Sequence, residues 1–311
     1  MTIRVVEPGA FTTVQDLGRP GLRAAGVPPS GAIDAWSLRL ANRLAGNPDG
    51  AAALEITMTG PLLTFEHAVV VACAGAAFDL ELDGEPLAAG CAVRVRERAT
   101  LRIGKAHTGV RGYFAVRGGL DIPPILGSRS TFAAAGIGGV RGAALRTGDY
   151  LRVGETTTPE APLRRVAKGV TVPQSGGAVR AIRGPQYESF PSAAASAFWS
   201  QAFRVSPRSN RAGVRLDGEP LASGAADIDP EGVVFGAVQI PGDGLPIVLG
   251  PDGPATGGYA KIATVITADL PLVAQARPGD TLRFVETDLE HARAAGRARE
   301  RLLDEAIVSV E

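Results

Sequence analysis

The sequence is poor in the residues that most often carry chemistry. Its 311 residues include two cysteines and three histidines. Cys73 and Cys91 each sit in an apolar, strand-like run, where thiols are buried as small hydrophobes rather than paired in a disulfide or used as nucleophiles. His67, His107 and His291 are scattered, without metal-ligand spacing and without His-Glu-x-x-His, so no metal site is assigned. Gly104-Lys105-Ala106 lacks the upstream glycine and the hydroxyl of a phosphate loop. Gly136-Ile137-Gly138-Gly139 sits in no βαβ unit, and there is no Gly-x-Ser-x-Gly elbow. Charge of one sign is missing too: 32 basic residues face 32 acidic ones, which argues against a protein held to nucleic acid by phosphate contacts. No apolar run reaches about 18 residues, and no apolar leader follows Met1. The expectation is a soluble, cytoplasmic protein with no membrane partner. Its chemistry is left to positioned Asp, Arg, Lys and Ser/Thr side chains and backbone N–H groups.

What is present is strand and turn material. Hydrophobic residues make up 45%, with 40 glycines and 23 prolines, and the length suits two domains of short strands. Ile3–Val6, Leu54–Met58, Ala68–Ala74, Phe78–Leu82, Ala92–Arg96, Thr100–Ile103 and Arg111–Val116 all read as strands. Helices are few. Ile33, Trp36, Leu40, Ala41 and Leu44 recur at helical spacing between a cap at Ser30 or Asp34 and Gly46, with Trp36 inward and Asn42 and Arg43 on the polar side. Ser192–Phe203 reads as a short helix and Thr287–Ala306 as a charged amphipathic one. Thr156–Pro173, broken by Pro159 and Pro162, reads as a linker or surface excursion.

Parts of the chain occur twice. Leu82–Gly90 recurs as Leu216–Gly224 with one change, Ala89 to Ser223. Gly148-Asp149-Tyr150-Leu151-Arg152-Val153 is matched by Gly279-Asp280-Thr281-Leu282-Arg283-Phe284, and Gly60-Pro61 by Gly184-Pro185. Three matches in the same order imply two related all-β lobes, residues 1–165 and 180–311, the second ending in a helix.

Three segments gather polar groups on a glycine frame. Thr12–Gly21 brings Gln15, Asp16 and Arg19 together, and Gly127–Thr131 sets three hydroxyls around Arg129. Leu249–Lys261, read as a connection between strands, carries Asp252, Thr256, Tyr259 and Lys261. Each of the last two segments precedes its lobe's Gly-Asp strand, so Arg129 and Lys261 are expected to bind an anion in a shared cleft.

Thr12–Arg19, Gly26–Asp34, Gly127–Thr131, Gly184-Pro185-Gln186 and Thr256–Tyr259 stand in an order that resembles the family of 5-oxoprolinase C subunits, also described as allophanate hydrolase subunit 2 or the biotin-dependent carboxyltransferase domain. The resemblance runs from about Val5 to Phe284. In Ser209–Gly213, Asn210 and Ala212 stand where the family usually shows Asp and Met, and Ala260 replaces a usual Pro. The resemblance implies a mainly β protein of two related cyclophilin-like β-barrel lobes with a few short helices. It implies a lactam hydrolase subunit, active only in a heteromeric complex with subunits A and B, opening 5-oxoproline to glutamate with ATP and Mg²⁺. Two alternatives come with it: a carboxyltransferase (allophanate hydrolase subunit 2) of a urea-degrading, biotin-dependent system, and a non-enzymatic protein that antagonises a kinase inhibitor. Asp16, Arg19, Asp252 and Lys261 are the expected catalytic residues. Ser30, Asp34, Arg129, Gln239, Thr256, Gly257, Gly258 and Tyr259 complete the expected substrate-binding set.

Overall fold

Alternating and apolar runs become strands, and glycine decides where some of them bend instead of ending. The computed structural model describes residues 1–156, 161–170, 176–222 and 227–310. Ala68–Ala74 and Phe78–Leu82, which read as two strands, form the single strand Val69–Leu82, and Thr100–Val116 likewise runs unbroken. Their mutual register shifts between Gly75 and Ala77. Gly75 has φ +97°, and a Cβ there would stand 2.6 Å from Arg111 O, so glycine turns a break into a bulge.

The chain divides into two units. Unit 1 comprises Met1–Arg19, Ser30–Pro173 and Arg301–Glu311; unit 2 comprises Pro20–Pro29 and Gln174–Glu300. The last residues thus return to the first unit, and a ten-residue piece near the start belongs to the second, unlike the simple division at 165/180. Arg23 in that piece donates from Nη1 to Val233 O at 2.8 Å within unit 2.

In unit 1 the strands are β1 (Thr2–Glu7), β2 (Phe11–Gln15), β3 (Ala53–Thr57), β4 (Leu62–Phe65), β5 (Val69–Leu82), β6 (Glu85–Pro86), β7 (Ala92–Val95), β8 (Thr100–Val116), β9 (Tyr150–Arg152) and β10 (Arg164–Val166). The main sheet runs β2-β3-β8-β4-β1-β9, with β5 bridging β6, β7 and β8. Inward residues such as Ile3, Leu54, Leu63, Phe65, Leu101 and Phe114 form its core, each stabilising by about 1.5–3 kcal/mol on burial. Helix α1 (Ala35–Ala45) covers one face. Asp34 is its cap, accepting from Ser37 N at 2.9 Å, and Gly46 ends it at φ +88°. Trp36 is buried, as its spacing implies. Asn42, placed on the polar side by the sequence, is fully buried and donates to Asp49 O and Ala51 O. An amide that ties down the following loop makes burial tolerable. Part of the proline-broken excursion is ordered: β10 pairs with the C-terminal strand Ile307–Ser309, while residues 157–160 and 171–175 lie outside the described residues.

Unit 2 contains β11 (Gly177–Arg183), β12 (Phe203–Val205), β13 (Gly213–Asp217), β14 (Asp227–Gly232), β15 (Ala237–Ile240), β16 (Ile247–Leu249), β17 (Thr256–Val265) and β18 (Thr281–Glu286). The order is β11-β18-β12-β13-β16-β15-β17-β14, and a further β11–β17 pairing closes the path into a barrel with β14 attached outside it. The helices α2 (Ser192–Ser200) and the short α3 (Leu270–Ala274) belong here, and α4 (Leu289–Glu305) starts in unit 2 and ends in unit 1; α2 and α4 are both signalled by the sequence. Phe198 of α2 stacks on Phe284 at 4.6 Å between centroids, anchoring the helix to the barrel core. The fold is mainly β.

The repeats have different fates. Gly148-Asp149 and Gly279-Asp280 make the same bonds in each unit. Gly148 N donates to Val5 O and Gly279 N to Val205 O, both at 2.8 Å. Arg146 N and Arg277 N donate to the Asp149 and Asp280 carboxylates, again at 2.8 Å. The longer match does not hold in this way. Asp83 and Gly84, both at positive φ, form the two-residue tip between β5 and β6. Leu216 and Asp217 instead lie within β13, opposite Val205 and Arg204. Ser223 and Gly224 fall outside the described residues.

Candidate functional site

In unit 1, the polar segment after β2 meets the turn 127–131. The Asp16 carboxylate is 7% exposed and accepts four hydrogen bonds. Oδ1 takes Ser128 Oγ at 2.6 Å, Ser130 Oγ at 2.5 Å and Gly18 N at 2.7 Å; Oδ2 takes Arg129 N at 2.6 Å. A carboxylate so fully used positions a loop; it has little capacity left to act as a base. Arg19 is buried and donates from Nη2 to Ser130 O, closing the other side of the turn. A Cβ on Gly138 would be 2.0 Å from that same carbonyl, so glycine is required there. Gln15 donates to Thr13 Oγ1 and Thr131 O, both at 3.1 Å. The backbone of Arg129 is therefore held on all sides, while its side chain lines a groove and its Nε is buried without a hydrogen-bond acceptor among the described residues.

Ser30 lies beside this segment. It has φ +52°, is 4% exposed, and its hydroxyl has no hydrogen-bond partner among the described residues. The adjoining Gly31 packs on the Leu17-Gly18 backbone, and Ala32 N donates to Asp16 O at 3.0 Å. Asp34 is remote from solvent and engaged with Ser37 as the α1 cap. Its N–H donates to Tyr113 Oη, which in turn donates to Glu55. Burial first, then the Glu55 and Asp34 charges, push the Tyr113 phenol well above its ordinary range, so it stays protonated as this network needs.

In unit 2, Thr256–Lys261, read as loop, is the start of β17. Its partner is β14, where Glu231 faces Gly257 and Gly232 faces Thr256. Lys261 is 3% exposed, and its Nζ stands 2.6 Å from Glu231 Oε1, an ion pair not aligned as a hydrogen bond. Gln186 completes the arrangement. It accepts from Lys261 N at 3.1 Å, donates its own N–H to Lys261 O at 3.3 Å, and donates from Nε2 to Glu231 Oε1 at 2.8 Å. Gly184 permits this approach, because a Cβ there would be 2.2 Å from Lys261 O. Lys261, then Gln186, hold the Glu231 carboxyl below its usual range. Glu231 is thus a half-exposed, firmly ionised acceptor and a weak base.

Gln239 is buried opposite Lys261 on β15, 3.5 Å from Tyr259 O. Gly257 leaves room for it, since a Cβ there would be 2.6 Å from Gln239 Nε2. Thr256 and Tyr259 are exposed, and Gly258 packs on Ile228 O. Asp252 has a charge partner of its own. Its carboxylate is clamped by Arg211, Nε at 2.7 Å and Nη2 at 3.1 Å, with both side chains under 10% exposed. Asn210 Oδ1 accepts from Ala212 N at 2.8 Å, so the amide in place of the family's acid forms the local turn.

The structure therefore gathers Asp16, Arg19, Ser30 and Arg129 in unit 1, and Gln239, Thr256, Gly257, Tyr259 and Lys261 in unit 2. Asp34 and Asp252 belong to separate structural networks. Sequence reasoning misses Glu231 as a partner of Lys261, Gln186 as the link between them, and Arg211 as the clamp on Asp252. Gln186 alone carries a signal, in its Gly-Pro-Gln motif.

Comparison with known proteins gives these arrangements a family. Residues 25–286 match the model of the carboxyltransferase domain, subdomain A and B. The chain is 37% identical over 304 residues to the C subunit of the 5-oxoprolinase of Escherichia coli, covering 97% of both. It is 36% identical to the urea amidolyase of Lachancea kluyveri, over 93% of this chain but 17% of that one. The urea amidolyase of K. lactis superposes with a TM-score of 0.92 at 33% identity, across 97% of this chain and 20% of its own. A family match over most of the chain and an end-to-end relative agree: the protein belongs to the carboxyltransferase domain family of subdomains A and B.

Proposed function

We propose that the chain is the C-type subunit of an ATP-dependent 5-oxoprolinase and works with subunits A and B to open 5-oxo-L-proline to L-glutamate. The observation that carries this reading is the 37% identity, over 304 residues, to the C subunit of a 5-oxoprolinase. A lactam resists water until its amide oxygen is turned into a leaving group, which requires cationic donors around the developing charge. Lys261 is the side chain offered for that role, and Glu231 acts on it by pairing with its ammonium.

Mg²⁺ does not fit the acidic residues described in this chain. Asp16 and Asp252 are already consumed by internal donors, and among the described residues no group of three His, Cys, Asp or Glu side chains could hold a metal ion. The nucleotide is assigned to the partner subunits, and no step here is routed through it. The chain alone is therefore inactive in this reading. Carboxyl transfer is the second reading, favoured by the family description and by the close superposition on a urea amidolyase. It asks the same donors to stabilise a developing ureido or carboxylate oxygen. The deciding experiment is co-purification with subunits A and B followed by an ATPase assay. Phosphate release that requires 5-oxoproline supports the proposal. Release that requires urea, bicarbonate and a biotinylated partner replaces it with the second reading, and binding without any turnover supports a regulatory role.

A further inference from the structure

The Arg129 side chain lines a groove of about 350 Å³ in unit 1 whose occupant the reading above leaves open. Its other walls are Asn47–Pro48 after α1, Gly118–Asp121 after β8 and Gly154–Thr156 after β9. Such a volume lies at the small end of the range for small-molecule sites. Part of the lining is bare backbone. A Cβ on Gly118 would be 2.3 Å from Gly154 O, and one on Gly154 would be 2.5 Å from Gly118 O, so neither strand end can carry a side chain there. The amides at this crossing are already spent: Gly118 N donates to Asn47 Oδ1 at 2.8 Å and Gly154 N to Gly119 O at 3.0 Å. An anion in the groove has to find its donor on a side chain.

Arg129 is the one cation among the lining residues. Other arginines of unit 1 have internal partners: Arg43 with Asp49, Arg141 with Asp149, and Arg117 with Ala45 O and Ala161 O. The Arg129 guanidinium has no acceptor among the described residues, although its Nε is buried. A buried donor without an acceptor is destabilising, and a planar guanidinium matches a carboxylate in two bonds. The groove is not simply basic, however. Asp121 and Glu155 line it as well, and the Asp121 contact to Arg152, at 3.6 Å, is on an exposed surface. A plain anion would be repelled by these acids, whereas a molecule with a carboxylate and an N–H or ammonium group satisfies both signs.

We propose that this groove binds a small carboxylic acid bearing an N–H or ammonium group, with the carboxylate on Arg129 and the nitrogen on Glu155. The inference deepens the function proposed above, and rests on it only for the choice of probes, because lactam acid and amino acid are both of this class. The test is direct binding to the purified full chain, by isothermal titration, of 5-oxo-L-proline, L-glutamate, acetate and L-prolinamide. Arg129→Met, Arg129→Lys and Glu155→Gln are compared with the wild type. The turn is built on the Arg129 backbone, so these variants leave it intact, and unchanged circular dichroism checks that. Saturable binding of either N–H-bearing acid, weakened at least tenfold by Arg129→Met and partly restored by Arg129→Lys, is expected. Glu155→Gln should weaken these acids and not weaken acetate. Absence of saturable binding, or equal binding by Arg129→Met, overturns the proposal. The assembled complex separates the two ideas. Turnover of 5-oxoproline with no dependence on Arg129 removes the groove and keeps the function. Arg129-dependent binding in a complex inert to 5-oxoproline keeps the groove and removes the function.

Discussion

Replacing Asp16 with asparagine changes one atom and inverts one hydrogen bond. In the wild type, Oδ1 receives three donors and Oδ2 receives the Arg129 N–H. The amide introduced by Asp16→Asn keeps its carbonyl toward the three donors, since the flipped orientation would oppose all of them with N–H groups. Its NH₂ then faces Arg129 N–H, and a buried donor left without an acceptor costs about 1–3 kcal/mol. Asp16→Ala removes every contact. The two serine hydroxyls can rotate to other acceptors, but the Gly18 and Arg129 amides cannot, so two stranded donors give about 2–6 kcal/mol. For a unit of this size each kcal/mol lowers the melting temperature by roughly 2–4 °C. The assays are urea denaturation and amide hydrogen exchange. Asp16→Asn should lose protection at the Arg129 amide and retain it at Gly18, whereas Asp16→Ala should lose both. An Asp16→Asn variant within about 0.5 kcal/mol of wild type, with the Arg129 amide still protected, would refute the claim that this carboxylate builds the turn.

Three other outcomes follow from the same geometry. Asp252→Ala breaks a buried bidentate pair and should cost about 3–5 kcal/mol in urea denaturation while the reconstituted complex keeps its turnover per folded molecule; loss of turnover without loss of stability would make Asp252 a reacting group. Glu231→Gln should destabilise at pH 7 and much less at pH 3. Its carboxyl is held below the usual range by Lys261 and Gln186, so its contribution is complete above the unfolded value of about 4.3 and disappears as pH falls through the lowered folded value; an equal difference at both pH values contradicts this. Burial, then the Cys91 charge, push the Cys73 thiol up to about 12, and burial alone raises Cys91. At pH 8 iodoacetamide should therefore label Cys91 before Cys73 and both far more slowly than in urea, and Cys73 labelled at its denatured rate would show that strand β5 does not shield it.

The readable parts of this chain are those whose cause is local. α1 announces itself through Asp34, a helical run of apolar residues and Gly46, and α4 through its charge pattern. The Gly-Asp turns carry their own acceptor three residues from its donor. The unreadable parts depend on register between distant strands. β14 escapes sequence reading because Asp227–Gly232, with its acids and Pro230, has no strand alternation and is an outer strand on β17. Without β14, Gly257 and Gly258 read as loop, and nothing links Glu231 to Lys261. Asp16 stands out as a polar residue in a glycine-bracketed segment, but its four donors include groups more than a hundred residues away. Asn42 shows the converse error, where helical spacing gives its angle correctly and the loop that buries it cannot be foreseen.

The twin Gly-Asp turns have a consequence for engineering. The same bonds arise at 148–149 and at 279–280, although the strands that receive them, β1 and β12, differ in length and the surrounding sheets differ in closure. The bonds the two turns share need a glycine, an aspartate and one backbone carbonyl across the way, and Asp149 adds a pair with Arg141. Such a turn is a portable part. Exchanging Arg146–Leu151 with Arg277–Leu282 should leave both units folded, each copy serving as the other's spare.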